Sequence, residues 1–509
     1  MSLTTYSSSK YAQAAAAASV LLAAMLLPLS FTGGVVTTPA IGHELGGTPA
    51  ALGWITNGFM LTFGSLLLAA GTAADVIGRK RIFTGGLVLF CLSSLVVYCA
   101  ESTSVIGLLR AIQGGAAAMT LAGGSAALAQ MYQGQARIRV FSLLGTLFGA
   151  GLAFGPLLMG LITDTFGWRW VYASLALLSA SLMLASVAFL PTAEKPRGQK
   201  TDSAGIALFT VALSLFTLTV MLIPQHGILF TPVIALFITS VLFTWLFVIR
   251  CRKVKYPVFD LALLHYSGFA GVLLLPIATC YCYVVLLIII PLHFMGGEGL
   301  SETKSALLLM ALTCPMLIFP SIAAVLTRWY KPGAVSAAGL ILAAGGLLIL
   351  GPALQSNNPG LLIFSLVIIG AGAALPWGLM DGLAVSAVPV EKAGMAAGLF
   401  NTVRVAGEGI ALAMVTAFLV MTNHLNLEKH LADSTPEGVS RAAAWLGSGN
   451  LDQAAKLLPH VSRGLLRESY DDAYTLLFRT LAGITLLCAC LVWKNLNNGK
   501  PQGAERAVR

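Results

Sequence analysis

Runs of roughly twenty apolar residues, repeated along the whole chain, constrain this sequence more than any other feature, because about twenty helical residues cross a bilayer. In hydrocarbon every backbone N–H and C=O needs a partner inside the protein, and an α-helix supplies one within the segment itself. Such runs lie near 16–38, 50–73, 82–100, 104–131, 138–163 and 169–190, near 204–223 and 228–249, and near 269–291, 304–327, 334–354, 361–388, 394–421 and 473–493. They make six, two and six helices, fourteen in all. Of the 509 residues only 10% are charged, where a soluble domain would carry about a quarter, so most of the chain belongs in lipid.

The expected fold class is therefore an all-α integral membrane protein, two six-helix bundles with two inserted helices. Its units are an N-terminal bundle over 1–191, a linker with the inserted pair over 192–265, and a C-terminal bundle over 266–509 that includes a polar loop over 422–472. The linker opens with TAEKPRGQKTDS, from Thr192 to Ser203. The amphipathic run NLDQAAKLLPHVSRGLLRES within the polar loop suits either a short helical hairpin on the membrane surface or a plain solvated loop. The apolar stretch after Lys10 is too long for a signal peptide and reads as the first helix.

Charge decides the orientation. Fourteen crossings put both termini on one side, and the arginines and lysines crowd the termini and the even-to-odd loops. The short loops of the other side offer only Arg169 and Lys304, which predicts cytoplasmic termini and a multi-pass protein of the inner membrane. The net charge of +10 is spread in these short clusters, so no nucleic-acid partner is expected. The eight cysteines, among them Cys280/Cys282 and Cys488/Cys490, show neither metal nor redox spacing and read as small buried hydrophobes.

Several polar residues interrupt the apolar runs at fixed spacings. The second span ends in GxxxDxxGRKR, with Gly71, Asp75, Gly78, Arg79, Lys80 and Arg81. Here Gly71 leaves room for a neighbouring helix, Asp75 caps a helix or pairs with Arg79, and Gly78 permits a sharp return, a conformational latch between two helices. The fourth span carries Arg110 and Gln113 in RxxQG, where a guanidinium must find carbonyls, a carboxylate or water, unless it is an anchor at the membrane interface. The fifth holds Gly145, Gly149, Gly151, Gly155, Pro156 and Gly160, small residues that let backbones touch and a proline that bends the helix. Later spans hold two acids, Asp381 and Glu408, and Arg404 stands one turn before Glu408, which makes an internal Arg404–Glu408 ion pair an alternative to a proton-carrying or substrate-binding carboxylate. Phe59, Phe63, Tyr281, Tyr283, Trp377 and Phe400 are candidate walls of a substrate cavity.

These motifs resemble the major facilitator superfamily, and specifically its fourteen-helix drug:proton antiporter family. GxxxDxxGRKR is similar to the loop between its second and third helices, RxxQG to its helix 4 motif, and GxxxGPxxxG, here Gly151 to Gly160, to the helix 5 motif of its exporters. FGWRWVY from Phe166, YPVFDLALL from Tyr256 and VPVEKAGMAAGLFNTVRVAGEGIAL from Val388 also resemble segments of that family. The chain departs from it in helix 1, where LSFTGGVVTTP has Ser30 and Val35 in place of the usual Asp and Asn, so the helix 1 carboxylate is missing. In the second half the latch echo TRWYKPG keeps Arg328 and Lys331 but no acid.

The resemblance implies a proton-coupled exporter of amphipathic, cationic organic compounds working by alternating access, with Arg110, Asp381, Glu408 and Arg404 in proton coupling. Export of an endogenous metabolite such as a siderophore is the alternative that the missing helix 1 acid favours, and a transport-inactive membrane sensor is an alternative of another class. No enzyme activity is expected, and no cofactor beyond the proton gradient, since a GxxxxGK[ST] loop is absent. The expected partners are a small-molecule substrate, protons and the lipid bilayer around a monomer, with an adaptor or outer-membrane partner left open.

Overall fold

The computed structural model describes residues 10–191, 202–226, 230–254, 263, 266–356, 358–388, 393–430 and 436–497. Most of the linker after Leu190, most of the YPVFDLALL segment and residues 389–392 of the VPVEK segment lie outside the described residues. Among the described residues, fourteen helices are long and apolar enough to cross a membrane. The first eight are α1 (Lys10–Leu45), α2 (Pro49–Ile77), α3 (Arg79–Tyr98), α4 (Thr103–Met131), α5 (Gly134–Phe166), α6 (Trp168–Phe189), α7 (Ser203–His226) and α8 (Thr231–Lys253). They are followed by α9 (Gly268–Gly297), α10 (Thr303–Leu326), α11 (Pro332–Gln355), α12 (Pro359–Ser386) and α13 (Ala393–His430). Two short helices, α14 (Pro436–Gly447) and α15 (Leu451–Leu457), precede the last crossing, α16 (Arg463–Asn497).

Helix ends follow local chemistry. Thr48 accepts a hydrogen bond from the Ala51 amide with Pro49 at the first helical position, and Asn358 accepts from the Gly360 and Leu361 amides. Between α2 and α3 the chain turns on Gly78 alone, whose φ of 119° no L side chain adopts readily.

In the first half α1 packs on α5 and α6, α2 on α4, and α3 on α4 and α6. In the second, α11 packs on α12 and α16, and α9 on α12 and α16. The halves meet along α2 against α13 and along α5 against α10 and α12. Closest is Gly64, where an added Cβ would stand 2.7 Å from the Ala406 Cα. The inserted α7 lies against α2 and α13, and its partner α8 is peripheral: only 17% of its most apolar stretch is buried, against 78% for α9. Centrality also shows in α9 itself, which relaxes into π-helical turns at Cys280–Val284 and His293–Gly297, a distortion often found at functional positions.

The segment 422–472 is not a long loop. Polar turns beyond the lipid continue α13 to His430 and start α16 at Arg463, so the connection is shorter than hydropathy indicates and contains two helices. On α14 the buried Val439, Ala442, Ala443 and Leu446 form a stripe at helical spacing, while Glu437, Ser440 and Arg441 stay exposed. This stripe packs on the bundle rather than on a membrane surface, and Gly447 admits Val420 of α13.

Candidate functional site

Arg110 is fully buried, so the interfacial-anchor alternative does not describe it. Its Nε donates to the Ile55 carbonyl at 2.9 Å, Nη1 to Ser30 Oγ at 2.9 Å and Gln113 Oε1 at 2.8 Å, and Nη2 to the Ser30 carbonyl at 3.1 Å. Gln113 passes the network on, donating to Ser94 Oγ at 2.7 Å. The guanidinium lies over the Phe59 ring at 4.5 Å, and Gly34 of α1 makes way for it, since a Cβ there would come within 2.5 Å of Nη2. Where the family pattern leads one to expect a carboxylate on helix 1, Ser30 supplies a hydroxyl and a carbonyl instead. Neutral dipoles solvate this cation, and none of these four hydrogen bonds goes to an acidic group. Ser94 is not singled out by the sequence, and Ser30 is read there only as the residue standing in place of the usual helix 1 Asp, not as a partner of Arg110.

At a second charge centre Arg404 pairs with a residue other than Glu408, the partner that the ion-pair alternative gave it. Arg404 Nη1 reaches Asp381 of α12 at 3.2 and 3.4 Å, and Nη2 donates to Asn401 Oδ1 at 2.7 Å. Phe148 of α5 and Phe400 lie under the guanidinium at 4.9 and 5.6 Å. Asp381 of α12 and Phe148 of α5 thus meet Arg404 across helices, while Asn401 and Phe400 come from its own helix α13. Glu408 is left buried at 4% exposure, with no hydrogen-bond partner for Oε1. The same region joins the halves: Cβ atoms added to Gly145 and Gly149 of α5 would stand 2.8 Å from Asp381 Oδ2 and 3.4 Å from Trp377 Nε1.

The opposite face of α5 packs on α1, with Gly151 against Pro28 and Met25 and Gly155 against Thr32, where an added Cβ would meet Oγ1 at 2.1 Å. Pro156 and Gly160 are buried within the same helix. At the latch, Arg79 joins Asp75 at 3.3 Å and Gln130 at 3.0 Å, and Lys80 donates to the Val187 carbonyl at 2.9 Å. Gly71 does not make the expected close approach: nothing lies within 4 Å of a Cβ built there, and α2 makes that approach at Gly58 and Gly64 instead.

A cavity of about 980 Å³ opens at the end of the bundle away from the termini, lined among others by Val35, Leu52, Ile288, Leu412, Trp445 and Arg467. Its volume is that of a small-molecule site. None of Phe59, Phe63, Tyr281, Trp377 and Phe400 lines it, which corrects the expected aromatic walls. Phe59 and Phe63 meet edge to face, Trp377 packs at a tilt against Tyr283, and Tyr281 donates to Met414 Sδ. The aromatic wall is Trp445, from the segment read as a polar loop. Arg110 and Glu408 sit just behind the lining: Val35 and Thr56 line the cavity and follow Gly34 and Ile55, which touch Arg110, while Leu412 stands one turn beyond Glu408.

The profile of the Major Facilitator Superfamily matches residues 20–412. The chain is 28% identical over 484 residues to the protein named "Probable actinorhodin transporter" of Streptomyces coelicolor, covering 90% of this chain and 81% of that one. It is 26% identical over 408 residues to "Multidrug resistance protein Stp" of Mycobacterium tuberculosis, covering 80% of this chain and 76% of that one. Among solved structures, the peptide transporter POT in complex with sulfate superposes with a TM-score of 0.61 at 16% identity, over 94% of this chain and 93% of that chain.

Proposed function

Because this chain belongs to the major facilitator superfamily, and so is a multi-pass membrane transporter and not an enzyme, we propose that it exports amphipathic, preferentially cationic, organic compounds in exchange for protons. The observation that carries this reading is Glu408, a buried carboxylate whose Oε1 has no hydrogen-bond partner, one helical turn from the lining of a drug-sized cavity. A proton there changes the charge that a ligand in the cavity meets. Export is supported by the names of the two relatives, one a transporter and one a multidrug resistance protein. The cycle alternates between two arrangements of the bundles, with Asp381, Arg404 and Phe148 joining the halves on the termini side and the cavity opening on the other. The energy source is the proton gradient, and the working unit is a monomer. Drug uptake into inverted vesicles driven by an imposed proton gradient tests the reading; drug binding without proton-linked flux would leave the sensor alternative.

Arg110 favours a second reading of the substrate. A buried cation without an acidic partner attracts anions, so export of an acidic endogenous metabolite such as a siderophore also fits. A susceptibility panel of toxic cations and chelators, with and without the protein, separates the two.

The proposed orientation places the termini in the cytoplasm and the cavity mouth outside the inner membrane. In a background without native cysteines, Glu437→Cys on the exposed face of α14 is expected to react with an impermeant thiol reagent from outside, and Lys494→Cys only after permeabilisation. Reversed labelling would turn the proposal upside down.

The latch carries a subtler expectation. The Asp75–Arg79 pair is half exposed, so Asp75→Asn should change stability by about 0.5 kcal/mol or less. It should nonetheless slow exchange between the two arrangements, because the latch ties α2 and α3 to α4 and α6 in one of them. Wild-type transport rates in that variant would remove the latch from the cycle.

A further inference from the structure

The eight tryptophans sort by what their rings meet. Trp170, Trp245, Trp329 and Trp493 are each more than half exposed, as suits indoles that face lipid and the membrane surface. Trp168 and Trp377 are 3% exposed, the one donating to Glu44 Oε2 at 2.8 Å and the other packed on Tyr283. Trp54 fills the space left by Gly107 of α4, where an added Cβ would stand 3.1 Å from the Trp54 Cβ. Trp445 fits none of these groups. It is half-buried and lines the cavity, and among the described residues neither a ring nor a hydrogen-bond acceptor engages its indole.

The backbone holds that indole in place. At the end of α14 the Trp445 carbonyl accepts from the Asn450 amide and from Ser448 Oγ, both at 2.9 Å. Behind it the buried stripe of α14 packs on the bundle, and Gly447 lets the helix close on Val420 of α13, whose amide nitrogen would stand 3.1 Å from an added Cβ. The turn that follows is seated on α9, where Gly449, at φ 81°, lies against Leu292. A side chain fixed in this way loses little freedom when a ligand covers it, so its contact counts almost fully toward affinity. Elsewhere the lining is low. From α1 and α2 it takes Pro39, Gly42 and Gly53 and no aromatic side chain other than the His43 imidazole, which leaves Trp445 as the one large ring among the described lining residues.

We infer that the α14–α15 segment is part of the substrate site and that Trp445 is its specificity-determining residue, a fixed face on which a flat, fused-ring aromatic compound stacks. The inference rests on the exporter reading for the word substrate, and on this cavity for its geometry. Two flat ring systems in offset contact exclude water over their whole faces, and such pairs gain more than the buried area alone gives. A molecule of equal size whose rings are twisted out of plane offers the indole only an edge or a single ring. Selection is therefore by shape and applies to a cation or an anion, the cation gaining in addition from the negative face of the indole. Residue 445 lies beyond residue 412, where the superfamily match ends, so the selecting group comes from a part of the chain outside the matched fold.

The test crosses shape with charge. Full-length protein in lipid nanodiscs is dialysed to equilibrium, with empty discs as the blank, against two flat dyes, ethidium as the cation and resorufin as the anion. Two propeller-shaped ions, tetraphenylphosphonium and tetraphenylborate, are their twisted counterparts. At least one flat dye should bind the parent, and Trp445→Leu should raise its Kd about five- to tenfold while changing that of the propeller ion of the same charge by less than about twofold. Trp445→Phe, which keeps a ring, should stay within about threefold of the parent. Equal weakening of both shapes, no weakening, or no flat dye bound by the parent overturns the inference. Both shapes are measured on one sample, so partial unfolding would lower the number of sites for both and leave the ratio of their Kd values unmoved. Binding needs no proton gradient. Flux that fails while the flat dyes keep their dependence on Trp445 sinks the exporter reading, and flux that persists without that dependence sinks this inference alone.

Discussion

Asp381→Asn is expected to cut the amount of stably inserted protein sharply and to lower its thermal stability in detergent. Arg404 is 2% exposed along its side chain and Asp381 15%, and they meet at 3.2 Å with one further polar partner, Asn401, and two aromatic rings around the guanidinium. Removing one charge of such a pair leaves the other buried and uncompensated, at a cost of about 3–5 kcal/mol. Arg404→Gln alone should cost a similar amount. Replacing both leaves two neutral groups able to hydrogen-bond each other, so the double variant should recover much of the loss, a coupling that a double-mutant cycle measures. Strictly additive losses would show that the contact is incidental. Loss of the pair should also loosen the junction of the halves, because Phe148 and Gly145 of α5 pack against the same two side chains.

That pair marks where sequence reasoning stops. A contact four residues apart on one helix is legible from spacing, which is why Asp75–Arg79 and the alternative Arg404–Glu408 pair are both readable, but the ion pair of Arg404 is with Asp381. Arg404 chose a partner on a neighbouring helix, and helix rotation in a bundle is set by packing that no local pattern encodes. The fourteen crossings were legible because lipid imposes one solution on the backbone, so hydropathy finds them. Their ends were not, since α1, α13 and α16 continue through polar turns where hydropathy no longer applies. Gly78 was readable from its place between a helix and three cations, whereas Gly71 was misread because small size allows a close approach without requiring one. The cavity aromatics failed for a related reason. Phe59 and Phe400 are large enough to line a cavity, but each is taken up beneath a guanidinium, and Trp445 lay in a segment whose polarity concealed a packed helix.

Glu408→Gln is expected to behave in the opposite way to Asp381→Asn, with normal insertion but proton-driven export reduced by a factor of about a hundred or more. The amide matches the carboxylate in shape, and the Arg404 cation is already matched by Asp381, so the substitution strands no charge. Oε1 has no hydrogen bond to lose. What disappears is the ability to change charge. In the proposed cycle a proton arriving at Glu408 converts an anion into a neutral group one turn from Leu412 at the cavity wall, and a cationic ligand is held before that event and released after it. Fixed as neutral, residue 408 can neither attract the ligand nor exchange it for a proton, so both the gradient dependence and the affinity for cations should fall. An acidic substrate would give a different signature: coupling lost, but affinity kept or raised, because the Arg110 centre is untouched. Ligand binding to purified Glu408→Gln protein, measured beside gradient-driven uptake into inverted vesicles, therefore reads the substrate's charge as well as the coupling. Full proton-driven uptake by this variant would remove Glu408 from the mechanism and return attention to Arg110 and the Asp381–Arg404 pair.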